Sequence, residues 1–149
     1  MSGRAPTSLQ YYIPPTANGT GIEAEAINAA IDSNWIDCHG MSQVSIFIDY
    51  DRAAGTGYTF KISTAARKNV STQAPELIAA YAIGTKAADD QTVVYEPRIF
   101  ERVVSVDEVM RFDVPLNAAF FRIEDLLASG SPTTSDKATV VVLLGQGVL

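Results

Sequence analysis

From Val44 to Tyr50 the apolar residues Val44, Ile46, Ile48 and Tyr50 alternate with Ser45, Phe47 and Asp49, and "YTFKIST" resumes the pattern from Tyr58. A period of two belongs to a β-strand, because successive side chains on an extended chain point to opposite faces. No helix can bury that set on one side. The "GTG" at 55–57 reads as a turn, so the two runs predict a hairpin with Tyr58, Phe60 and Ile62 on its buried face.

Further strands are expected along the rest of the chain. "VMRFDVPL" sets Met110, Phe112 and Val114 against Arg111 and Asp113, and "AAFFRIEDLL" sets Phe121 and Ile123 against Phe120, Arg122 and Glu124. "TVVYEPRIFERVVSV" has high β propensity, and Pro97 within it argues for an edge or a bulge, since proline cannot donate to the ladder. "IEAEAINAAI" at 22–31 mixes helix-favouring residues with a short length and a β-rich sequel, and is read as strand. "ARKNVSTQAP" and "KAADDQ" read as loops, and "ELIAAYAIGT" as a helical turn or a strand ended by Gly84. The last run, "ATVVVLLG", is apolar on both faces: Ala138, Val140, Val142 and Leu144 on one, Val141 and Leu143 on the other. Such a strand is covered on both sides, by an inner layer or by another chain.

The expected fold is therefore mainly β, an antiparallel β-sandwich or jelly roll over residues 22–149, preceded by an extended N-terminal arm over residues 1–21. The arm carries Pro6, Pro14, Pro15, Gly19 and Gly21, which resist regular structure. Its "LQYYI" is too apolar to stay in water and is expected to pack on its own domain or on a neighbouring subunit, which makes Leu9, Tyr11, Tyr12 and Ile13 candidate interaction residues together with Val141 and Leu143.

With 149 residues, 47% of them hydrophobic and 19% charged, the chain is long enough for one domain with its own core. No apolar stretch approaches the roughly 20 residues that cross a bilayer as a helix. The formal charge of −6 opposes phosphate backbones and anionic lipid, so neither a nucleic acid nor a membrane is expected as partner. The first residues lack the apolar core of a secretory signal, and Cys38, the only cysteine, suits a reducing compartment or a protein whose stability is indifferent to redox state.

Cys38 and His39 invite comparison with a thiol–imidazole pair, but neighbours on an extended chain face apart, and a buried thiol beside a strand-end imidazole is the reading adopted. "DYDRAAG" opens like a calcium loop and then departs from it at Ala53, Ala54 and Phe60. Asp49, Asp51, Asp89 and Asp90 remain the carboxylates a loop-held calcium would use, and no cofactor is expected. Trp35 with Tyr50 and Tyr58 could stack on a sugar, although a lone tryptophan at a strand start reads as a core anchor. Arg122 is expected to brace a carboxylate such as Asp113. No nucleophile, base and orienting group come together in the sequence, so no enzyme is expected.

The order of the pieces carries a resemblance. "AEAINAAIDSNWIDCHGMSQVSIFIDYD", a hairpin ending "YTFKIST", the late "FFRIEDL" strand and the final "DKATVVVLLG" together look like the small β-sandwich structural proteins of tailed-bacteriophage virions, especially capsid decoration (cement) proteins and head or tail accessory proteins. That resemblance implies a non-enzymatic protein assembled in the host cytoplasm, placed on the capsid surface of the virion and reinforcing it. Its partners would be the major capsid protein or other virion subunits, and it would act as a homo-oligomer, a trimer or dimer. A carbohydrate-binding module and a tail or neck accessory protein are the alternatives.

Overall fold

The computed structural model describes the backbone of residues 10–12, 21–38 and 41–145, and the side chains of 21–38 and 41–145. These residues contain strands and turns and no helix. In chain order the strands are β1 (Gln10–Tyr12), β2 (Glu25–Ala26), β3 (Ile36–Asp37), β4 (Gln43–Asp51), β5 (Gly55–Lys68) and β6 (Pro75–Ala80). They continue with β7 (Ala82–Lys86), β8 (Val93–Pro97), β9 (Phe100–Val103), β10 (Glu108–Pro115), β11 (Phe120–Gly130) and β12 (Lys137–Gly145). One antiparallel sheet runs β1-β12-β4-β10, with β2 further along the same edge of β12 as β1. The other runs β3-β11-β5-β6, with β9 also on β5, and β7 and β8 form a separate two-stranded ribbon. The expected antiparallel, mainly-β sandwich is the architecture found.

The alternation read from the sequence sets the inner faces. Val44, Ile46, Ile48 and Tyr50 of β4 and Ala138, Val140, Val142 and Leu144 of β12 are buried against Tyr58, Phe60 and Ile62 of β5 and Phe121 and Ile123 of β11. Each of the larger ones contributes about 1.5–3 kcal/mol by leaving water. Aromatic rings bridge the two sheets: Tyr50 meets Tyr58 edge-on at 5.4 Å, and Phe112 meets Phe60 edge-on at 5.1 Å. Phe60 in turn stacks on Phe100 at 4.8 Å. In β11 the alternation breaks at a bulge between Glu124 and Leu127, where Asp125 takes a positive φ of 52° and donates its N–H to the Asp32 carboxylate at 2.9 Å. The bulge turns Leu126 inward beside Ile123, although the two are three positions apart.

The predicted hairpin does not form. β4 and β5 lie in different sheets, and the chain turns a corner between them at residues 52–54. "GTG" belongs to β5 itself. Gly57 has φ 145°, and a Cβ there would strike the carbonyl oxygen of Arg102 on β9, so the glycine permits close approach of two backbones. The corner is held by Asp136, which is fully buried. Its carboxylate accepts hydrogen bonds from the N–H groups of Ala53 (2.9 Å), Ala54 (3.1 Å), Gly55 (2.9 Å) and Thr133 (2.8 Å) and from the Tyr50 hydroxyl (2.8 Å).

Other boundaries move as well. The 22–31 segment forms a strand only at Glu25–Ala26, with an isolated bridge from Ile31 to Leu126, while Ile22 and Ile27 are core residues. β5 runs three residues into the expected loop at 66–75, and Gly84 lies inside β7 rather than ending a strand. Pro97 closes β8 in the two-stranded ribbon, where both strands are edges. Of the expected N-terminal arm, residues 10–12 form an edge strand on the chain's own β12. Its other residues, apart from Gly21, lie outside the described residues.

Burial alone would push the Asp136 carboxyl up, but the N–H groups of Thr133, Ala53, Gly55 and Ala54 hold it well below the usual carboxylate range. A folded-state value below the unfolded one gives stability that is complete above the unfolded value of about 4 and is lost as pH falls below it. Asp136→Ala is expected to cost on the order of 3–5 kcal/mol in urea unfolding at pH 7, since it leaves several buried donors without an acceptor, and the gap from wild type should narrow below about pH 4. The Tyr58 hydroxyl is buried with no hydrogen-bond partner among the described residues. Tyr58→Phe should therefore hold or raise stability, by up to about 1 kcal/mol in the same measurement.

Candidate functional site

Two surfaces stand out where apolar side chains meet solvent. The first is the outer face of the sheet containing β12, β4 and β10. The ladder registers place three rows across it: Thr139–Asp49–Val109, Val141–Phe47–Arg111 and Leu143–Ser45–Asp113. Phe47, Val141 and Leu143 are half-buried, and Val109 is 61% exposed. With Asp49 and Thr139 they line a shallow depression of about 420 Å³. The Arg111 guanidinium lies 5.6 Å over the Phe47 ring and is paired with Asp113 at 2.7 Å, which in turn accepts from the Ser45 hydroxyl at 2.7 Å. Those groups bound the apolar dish on one side.

The second surface is the ribbon of β7 and β8. Paired residues share a face, so Ala82 and Pro97, Gly84 and Tyr95, and Lys86 and Val93 form one face, while Ile83 and Glu96 and Thr85 and Val94 form the other. Tyr95 is 72% exposed and Val93 50%. The Tyr95 ring and the Val93 methyls lie against Gly84, so close that a Cβ at residue 84 would collide with both. A ribbon of two strands is marginal by itself in water, and this one has no third strand among the described residues.

The sequence-derived candidates distribute as follows. Leu9 and Ile13 lie outside the described residues. Tyr11 and Tyr12 pair through their backbones with Leu143 and Val142 of the same chain. Val141 and Leu143 lie on the outer dish. The ribbon was missed from the sequence, and its one signal was the adjacent pair Val93-Val94, which breaks alternation where a one-sided strand would keep it.

Cys38 is buried, with its Sγ 3.3 Å from the Ala118 carbonyl, and burial, helped by the Asp37 charge, pushes the thiol up to about 11. His39 lies outside the described residues. Asp89 spends both carboxylate oxygens on its own turn, accepting from the N–H groups of Gln91 (3.0 Å) and Thr92 (2.9 Å) and from the Thr92 hydroxyl (2.7 Å). Among the described residues no three acidic, His or Cys side chains cluster to hold a metal.

Two expectations are corrected. Trp35 is not a core anchor: it is half-buried, and the Arg122 guanidinium sits 4.8 Å over its ring. Arg122 pairs with Glu124 on its own strand at 2.6 Å rather than with Asp113, because both point outward from β11 two residues apart.

No protein-family model matches the chain, and no curated protein matches it. The thiol can be tested directly. In the folded protein at pH 8, Cys38 should react with a disulfide reagent on the order of a hundredfold or more slower than in urea, as a buried thiol with little thiolate must.

Proposed function

We propose that this chain is a non-enzymatic structural protein that works by adhesion, binding the outside of a tailed-bacteriophage capsid as a decoration protein and reinforcing it. The observation that carries the reading is the placement of large apolar side chains in water on one outer sheet face and one projecting ribbon, Val109, Val93 and Tyr95 among them. Contiguous apolar patches rimmed by polar groups are the usual mark of a protein–protein surface. The virion setting rests on the order of sequence segments described above, from "AEAINAAIDSNWIDCHGMSQVSIFIDYD" to "DKATVVVLLG".

A cement protein needs a rigid body and an attachment. The body here is a sandwich whose core is sealed by interdigitating Ile, Val and aromatic side chains. The attachment to the major capsid protein is given to the part of the arm before the β1–β12 ladder, residues 1–9 with Leu9, because Tyr11 and Tyr12 are engaged by backbone pairing with the chain's own β12. An arm laid on a neighbouring subunit together with one sheet edge can supply the ~1,600 Å² of a standard interface.

Particles assembled without this chain provide the test. Added protein should co-sediment with them saturably and raise their resistance to heat or osmotic shock. Deleting residues 1–9, which precede the β1–β12 ladder, should weaken co-sedimentation about tenfold or more while leaving the circular dichroism spectrum of the fold unchanged. Binding unaffected by that deletion would remove residues 1–9 from the attachment, and no saturable binding would defeat the capsid reading.

A further inference from the structure

The ribbon and the dish are complementary surfaces on one molecule. The ribbon face carrying Tyr95 and Val93 is apolar apart from a single charge, Lys86, which is exposed and has no ion-pair partner among the described residues. The one charged residue lining the dish is Asp49, an exposed carboxylate beside Thr139 that likewise has no ion pair among the described residues. The dish itself therefore holds one charge opposite in sign to Lys86, and the exposed Lys137–Asp51 row lies next to it on the same sheet face.

We propose that the Tyr95 face of the ribbon of one copy docks on the outer face of the β10–β4–β12 sheet of a second copy, with Lys86 meeting Asp49. Tyr95 and Val93 would cover Phe47, Val141 and Leu143, and Gly84 lets the Tyr95 ring lie flat against the ribbon, presenting a broad apolar surface. Tyrosine is well suited to this, being a large, amphipathic side chain with little rotamer freedom to lose.

Donor and acceptor surfaces are different, so the contact is head-to-tail. Such contacts close into a ring when the rotation between copies permits and otherwise grow into a filament. Like the adhesive role above, this reading begins from exposed apolar surface, but it concerns copies of the chain in solution and stands or falls without any particle.

The test is a charge exchange followed by mass measurement in solution. The wild-type chain, 16.0 kDa as a monomer, should show a concentration-dependent mass of two or more copies by light scattering. Lys86→Glu and Asp49→Lys should each weaken self-association about tenfold or more, since each sets like charges against each other in the contact. The double variant carrying both changes should recover it. Mixing the two single variants should also recover it, because each then offers the surface that the other lacks, and the product should contain equal numbers of the two. Both positions are exposed, so the variants should keep the wild-type spectrum and unfolding midpoint. A monomeric wild type at all concentrations, or self-association that neither single variant weakens, or weakening that the double variant does not reverse, would overturn the proposal. A monomer that still binds particles would sink this contact alone and leave the decoration reading standing.

Discussion

The buried carboxylate of Asp136 fixes the corner on which the two-layer arrangement depends. β4 leaves one sheet and β5 enters the other within the few residues whose N–H groups point at that carboxylate. A run of successive N–H groups aimed at one point forms an anion-binding concavity, and here the protein supplies its own anion. The alternative local structure, a tight hairpin, would pair β4 with β5 edge to edge and leave their apolar faces side by side, with a second layer still to be found. Turning the corner instead lays one face over the other. Tyr50 ties the two consequences together, since its hydroxyl donates to Asp136 while its ring packs edge-on against Tyr58 across the interior.

The length of β5 explains why a ribbon projects at all. One edge of β5 is occupied by β11. The other is shared, with β6 along Ser63–Lys68 and β9 along Gly57–Phe60. The intervening chain therefore departs from a sheet edge that is already full. Its base is pinned where Tyr81 donates to the Ile62 carbonyl at 2.8 Å and Arg98 donates to the Tyr81 carbonyl at 2.8 Å. Beyond that point β7 and β8 pair only with each other among the described residues. On the far side, Arg102 of β9 grips Glu108 of β10 through two hydrogen bonds of 2.7 and 2.9 Å, which joins the edges of the two sheets.

The parts of this fold that were readable in the sequence are those where one face is buried and the other wet. For β4 and the first half of β5 the inward set is the one the alternation names, because a shift of one residue would have put Ile46 and Ile48 in water. Pairing partners were not readable: nothing local to "QVSIFIDYD" says that its neighbours are β12 and β10 rather than β5. The device that decides it, Asp136, acts over more than eighty positions of chain and looks in the sequence like one more acidic loop residue. Trp35 misled for a related reason, since its environment is set by Arg122 from a strand far along the chain. The bulge at Asp125 was equally hidden. The apolar outer face of β12 was visible as Val141 and Leu143, whereas the ribbon obeys no one-sided pattern and so could not be found by looking for one.

An apolar sheet face and an apolar ribbon are hazards for a chain that must stay dispersed, and the placement of charge around them has a physical logic. The ribbon's turn carries Asp89 and Asp90, its strands carry Lys86 and Glu96, and Pro97 removes a donor at its base, all of which discourage open-ended strand addition. The dish is bounded by the Arg111–Asp113 pair and interrupted by Asp49. General hydrophobic sticking is therefore penalised wherever a partner would bury those charges uncompensated. A partner that brings a cation to Asp49 while covering Phe47 and Val141 escapes the penalty. Surfaces of this kind bind selectively because the apolar area supplies the attraction and the isolated charges decide the register.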